Sequence, residues 1–163
     1  MRLSAKIAAA VLLLDQISKY IVVHILWLDR VLVIDVFPPW FNLRMAWNRG
    51  VNFGLFAGSD QWTRWGLIVL ALGISAVVWR WAQRSAQPPL VRASVGLLIG
   101  GALGNVIDRV FYGAVVDFLN MGFPGFSNPY SFNVADVAIF LGAMGLVFFP
   151  EEAKPRAKRA KRG

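Results

Sequence analysis

Between Gly101 and Asp136 the chain places three aspartates, Asp108, Asp117 and Asp136, among Asn105, Arg109 and Asn133. Two carboxyl groups within about 3 Å of each other cannot both ionise, so one pKa rises and the pair holds one proton. The ionised carboxylate then activates water while the protonated one donates to a carbonyl oxygen. That hydrolyses an amide with no metal and no covalent intermediate. Such a pair titrates as a unit, so neither role belongs to one residue. Asp117 and Asp136 are the expected pair, with Asp108 in support.

The same residues have plainer uses. Asn133 lies three residues before Asp136, the spacing of an N-cap and its N3 partner, with Phe132 and Val137 at the positions of a hydrophobic staple. Asp117 in a short strand could be a surface turn residue, and Asp108 with Arg109 an interfacial ion pair. Asn48, Gly50, Gly101 and Gly104 could serve turns and packing. Other chemistries have little to work with. The chain has no cysteine and a single histidine, His24, which leaves no thiolate, disulfide or histidine metal cluster and argues against a Ser–His mechanism. No metal or other cofactor is expected.

The elements that must position these residues are membrane spans. Of the 163 residues 57% are hydrophobic and 16% charged, and the mean hydropathy is +0.55. A soluble domain of this size could not hide that much apolar surface. The fold class expected is therefore an all-α polytopic membrane protein in one domain, residues 1–163. It has four transmembrane helices, at about 6–28, 62–82, 93–111 and 133–149. A small extracytoplasmic β element covers about 29–60 and 113–131, and residues 151–163 form a basic cytoplasmic tail. Within the β element Phe41, Leu43, Met45 and Trp47 alternate with other residues at the period of a half-buried strand. Val31–Phe37 and Ala114–Leu119 are further strand candidates, and Asn48-Arg49-Gly50 reads as a turn before the apolar Val51–Phe56.

In the first span Asp15 and Lys19 are four residues apart on one helical face. Either alone costs about 2.5–3.5 kcal/mol near the bilayer centre. Their spacing favours a structural ion pair over a direct part in catalysis. In the third span Gly96, Gly100 and Gly104 recur every four residues beside Gly101, a face that lets another helix approach closely.

The net charge of +8 does not point to nucleic acid. Six Lys/Arg and two Glu in the last thirteen residues account for +4, and the other basic residues are scattered at segment edges. Eleven basic residues fall on the side of the termini, against Arg30, Arg44, Arg49, Arg64 and Arg109 on the other. The positive-inside rule then puts both termini in the cytoplasm and the aspartates at the outer face. A proton-coupled carrier would need polar residues through the membrane depth, which the second and fourth spans lack. A scaffold would need the polar cluster to be capping and packing alone.

Five blocks in order complete the pattern: Asp15-Gln-Ile-Ser-Lys19; Asn48-Arg-Gly50-Val-Asn-Phe53; Gly101-Ala-Leu-Gly-Asn105-Val-Ile-Asp108-Arg109; Val115-Val-Asp117-Phe118; and Phe132-Asn133-Val-Ala-Asp136. In these the chain resembles the bacterial lipoprotein signal peptidase (signal peptidase II) family of aspartic intramembrane peptidases. The resemblance implies that Asp117 and Asp136 are the catalytic pair. It implies that Asn48, Gly50, Gly101, Asn105, Asp108, Arg109 and Asn133 line or support the site, with Asp15 and Lys19 in the first block. It also implies four transmembrane helices with a periplasmic β cradle in the inner membrane. The substrate implied is a prolipoprotein cut on the amino side of a Cys bearing a diacylglyceryl group. Membrane lipid is the other partner, and a monomer is expected. Val51 and Asn52 depart from the family, which commonly has small residues there. An extended substrate could pair with the β element.

Overall fold

The structure, a computed structural model, describes residues 1–50, 60–84, 87–126 and 128–149. The apolar Val51–Phe56 and the basic tail lie outside these described residues. The helices are α1 (Arg2–Tyr20), the single turn α2 (Leu28–Val31), α3 (Asp60–Gln83), α4 (Pro89–Tyr112) and α5 (Val134–Phe148). The strands are β1 (Val33–Phe37), β2 (Phe41–Asn48) and β3 (Val115–Met121).

Among the described residues three helical stretches are long and apolar enough to cross a membrane: Arg2–Ile25, Gln61–Gln83 and Pro89–Tyr112. The fourth apolar helix, α5, has 15 residues, and at 1.5 Å each it reaches roughly 22 Å, short of a hydrocarbon core of about 30 Å. Two boundaries differ from the sequence reading. α4 begins at Pro89 rather than near Ala93, because proline has no N–H to lose in the first turn of a helix. The first helix does not continue evenly to Leu28. It widens into one π turn over Ile21–Ile25, and the chain breaks at Trp27, a left-handed residue with φ 53°. The wider turn lets adjacent Val22 and Val23 both bury against the sheet, beside Val116 and Phe118.

α4 is the central helix, with α1, α3 and α5 packed around it. The glycine face does what its spacing promised. A Cβ on Gly96 would stand 2.7 Å from the Ser4 carbonyl oxygen, and one on Gly100 2.6 Å from that of Ala8, so only glycine lets α1 lie this close.

The strands form an antiparallel sheet in the order β1-β2-β3. All three strand candidates are strands, but β2 is not one uninterrupted pleat. Between the pairs Leu43↔Leu119 and Ala46↔Asp117, β2 spends three residue steps against two on β3. This β-bulge reverses which residues face which side. An even pleat would have carried Met45 and Trp47 round to the face of Asp117. The bulge puts Ala46 and Asn48 there instead.

Candidate active site

Each candidate carboxylate is delivered by a short, strongly specified piece of chain. Asn133 caps α5: its side chain accepts from the Asp136 N–H at 2.8 Å, and its own N–H donates to Asp136 Oδ2 at 3.2 Å. This is the reciprocal capping box, with Asp136 at N3. The capping role read from the sequence is therefore real, and it leaves Asp136 Oδ1 free to accept from Asn105 Nδ2 at 2.9 Å. Asp117 sits in the most buried strand and is 3% exposed. Asn133 Nδ2 donates to its Oδ1 at 2.6 Å, and Asn48 Nδ2 to its Oδ2 at 3.0 Å. It is no surface turn residue.

The two carboxyls are thus joined through neutral amides. Asn133 Nδ2 donates both to Asp117 and to Asn105 Oδ1, at 3.2 Å, while Asn105 donates on to Asp136. Burial pushes the Asp117 pKa up from 3.8 to about 6, and the charge of Asp136 pushes the same way. The amide bonds from Asn48 and Asn133 pull against both. Asn48 is held in turn by the Gly50 N–H, which donates to its Oδ1 at 2.9 Å and so commits the amide nitrogen to Asp117. Gly50 has φ +95°, a conformation open to glycine, and Leu67 fills the place of a Cβ.

Arg109 is half-buried in the last turn of α4, close enough for its charge to act on Asp117, Asp136 and Asp108. Its Nη1 donates to the Asn105 carbonyl at 3.4 Å, and its buried Nε has no hydrogen-bond partner among the described residues. Asp108 does not pair with Arg109. Neighbouring helix residues point about 100° apart, and Asp108 turns inward to Lys19 at 2.7 Å. Lys19 also holds Asp15 at 2.7 Å. Gln16, which sequence reasoning passed over, donates to Asp15 Oδ2 at 3.2 Å and to Asp108 Oδ1 at 3.0 Å. Its signal was available, as a polar residue between Asp15 and Lys19 in an apolar span. Gly101 packs against α5, where a Cβ on it would meet the Ala135 carbonyl. Among the described residues no group of three or more His, Cys, Asp or Glu is placed to hold a metal ion.

Helical spans, a small sheet on their rim and two carboxyls sharing neutral donors define a membrane-embedded protein with a paired-carboxylate site. Comparison with known proteins narrows the class. Residues 7–149 match the family model for signal peptidase (SPase) II. The chain is similar to a lipoprotein signal peptidase of Methylobacterium sp. (strain 4-46), 39% identical over 162 residues, covering 95% of this chain and 92% of that protein. It is also similar to a lipoprotein signal peptidase of Burkholderia vietnamiensis (strain G4 / LMG 22486). That protein is 38% identical over 142 residues, covering 87% of this chain and 83% of its own length. A solved bacterial membrane enzyme superposes with a TM-score of 0.74 at 27% identity, over 89% of this chain and 90% of that one. The chain belongs to the signal peptidase II family and is a protease.

Proposed function

We propose that Asp117 and Asp136 are the catalytic pair of an endopeptidase that removes the signal peptide from prolipoproteins. Cleavage falls on the amino side of a Cys bearing a diacylglyceryl group. The observation that carries this reading is the shared amide bridge. Asn133 and Asn105 tie the two carboxyls together, and the donors directly on them are neutral. Among the described bonds to the pair none comes from a cation, so it favours one proton between them. The ionised carboxylate takes a proton from water as that water attacks the scissile carbonyl. The protonated one donates to the carbonyl oxygen, and a proton then passes to the leaving amine. Arg109, with a buried N–H unspent, supplies positive potential where oxyanion charge develops. Asn48, Gly50, Asn105 and Asn133 hold the carboxyls in place, and Gly101 lets α5 lie against α4.

In this reading the protein is a single domain of the inner membrane, crossing it four times with both termini in the cytoplasm. α5 is the fourth span, short for the bilayer, and Val137, Phe140, Leu141, Val147 and Phe148 are exposed on it. The site faces the outer leaflet, where the acyl chains of a lipidated Cys stay in the bilayer and hold the scissile bond at the interface. The lipoprotein signal peptidases to which the chain is similar support the substrate class. The test is purified protein with one prolipoprotein, lipidated or not at its Cys. Cleavage confined to the lipidated form is expected, and equal cleavage of both would contradict the proposed substrate.

A further inference from the structure

Three residues bury their charges in the junction of α1 and α4: Asp15 and Asp108 are 0% exposed and Lys19 3%. Lys19 Nζ holds both carboxylates at 2.7 Å, and Gln16 ties them a second time. Each carboxylate also accepts a backbone N–H from outside its own helix. Asp15 Oδ1 accepts from Ala135 at 2.9 Å, and Asp108 Oδ2 from Val116 at 3.1 Å. Ala135 immediately precedes Asp136, and Val116 immediately precedes Asp117. An ion pair that merely docked α1 on α4 would have no need of these two amides.

On the reading that Asp117 and Asp136 carry the reaction, we propose that Lys19 is a positioning residue that sets the spacing of the two carboxyls. One ammonium joins the two anchors, and each anchor holds the backbone one residue ahead of a catalytic aspartate. The third donor of Lys19 reaches Asn105 Oδ1 at 3.2 Å. With that oxygen facing an ammonium, the Asn105 amide nitrogen must face Asp136, and turning the amide over would set donor against donor and acceptor against carboxylate. Lys19 therefore fixes both the distance between the carboxyls and the donor on one of them. Gly104 makes room for this device, since a Cβ there would stand 2.5 Å from Asp15 Oδ2.

The experiment measures kcat and KM on a lipidated prolipoprotein for wild type, Lys19→Met, Lys19→Met/Asp108→Asn and Asp136→Asn. The double variant keeps the net charge of the cluster at −1, so it removes the second of the two carboxylates that Lys19→Met leaves without a cation. A misplacement near 1 Å costs about a hundredfold in rate. Both Lys19 variants are accordingly expected to lose kcat by about a hundredfold with KM within about threefold. A second readout does not need activity. The chain has no cysteine, so spin labels on Met121→Cys and Val137→Cys, both exposed positions, report the distance between the end of β3 and the start of α5. That distance distribution is expected to broaden or shift in Lys19→Met. Wild-type kcat in Lys19→Met, or a raised KM with kcat intact, overturns the proposal. So does failure of both variants to insert and fold, because the cluster would then be a folding requirement. Cleavage by Asp136→Asn would instead remove the catalytic reading on which the proposal rests.

Discussion

Two pairs of aspartates share one network, Asp15 and Asp108 holding the backbone N–H groups of Ala135 and Val116 just before Asp136 and Asp117, and they are treated in opposite ways. Asp15 and Asp108 share an ammonium at 2.7 Å from each and are sealed from solvent. The bonds described on Asp117 and Asp136 come from amides, those of Asn48, Asn105, Asn133 and the backbone. Taking an ion out of water costs several kcal/mol, which a well-placed counterion can offset and a neutral donor offsets only in part. The first pair is therefore bonded to a counterion and held rigidly in place. The second is left with one carboxyl whose proton is available near pH 6. The same side chain is made structural or reactive by whether a cation bonds to it directly.

The largest break in that contrast comes from the reactive pair. Asp117→Asn or Asp136→Asn is expected to lower the cleavage rate by about 10⁴-fold, the upper range for general acid–base catalysis, with membrane insertion unchanged. Asp108→Asn or Asp15→Asn should act chiefly on stability, with a smaller loss of rate. Each leaves Lys19 paired with the other carboxylate but removes one of its two charge-assisted bonds, at a cost of about 1.5–3 kcal/mol, read as a fall in apparent Tm in detergent. Asn48→Ala is a milder change that sharpens the account. It removes a donor that favours ionised Asp117, so the alkaline limb of kcat/KM should move to higher pH. A shift to lower pH would contradict the assignment. The smallest effect is linkage. The folded-state pKa of Asp117 lies above its ordinary value of 3.8, so its contribution to stability is complete below that value and is lost as pH rises through about 6. This segment of the pH–stability curve should be absent in Asp117→Asn.

Much of this arrangement is legible in the linear chain because its devices are local. The capping box needs only Asn133 and Asp136, three residues apart, and the Asp15–Lys19 pair needs only a helical turn. The glycine face of α4 needs only its four-residue spacing. What escapes the sequence depends on contacts between elements. That Lys19 also holds Asp108 follows from the register of α1 on α4. The bulge in β2 is hidden because Phe41, Leu43, Met45 and Trp47 keep an even alternation through it, although the sheet does not. Asp108 beside Arg109 suggests an ion pair until the helix turns the two apart. The span count also depends on more than pattern, since α5 is apolar throughout but only 15 residues long.

The most direct measurement is the cleavage of a lipidated prolipoprotein by Asp117→Asn and by Asp108→Asn, each normalised to folded protein and paired with its apparent Tm. The account predicts that Asp117→Asn keeps its Tm near that of wild type at neutral pH and loses cleavage. Asp108→Asn should lower Tm by several degrees, and its folded fraction should still cleave, more slowly than wild type. Retained cleavage by Asp117→Asn would contradict the claim that the uncompensated pair does the chemistry.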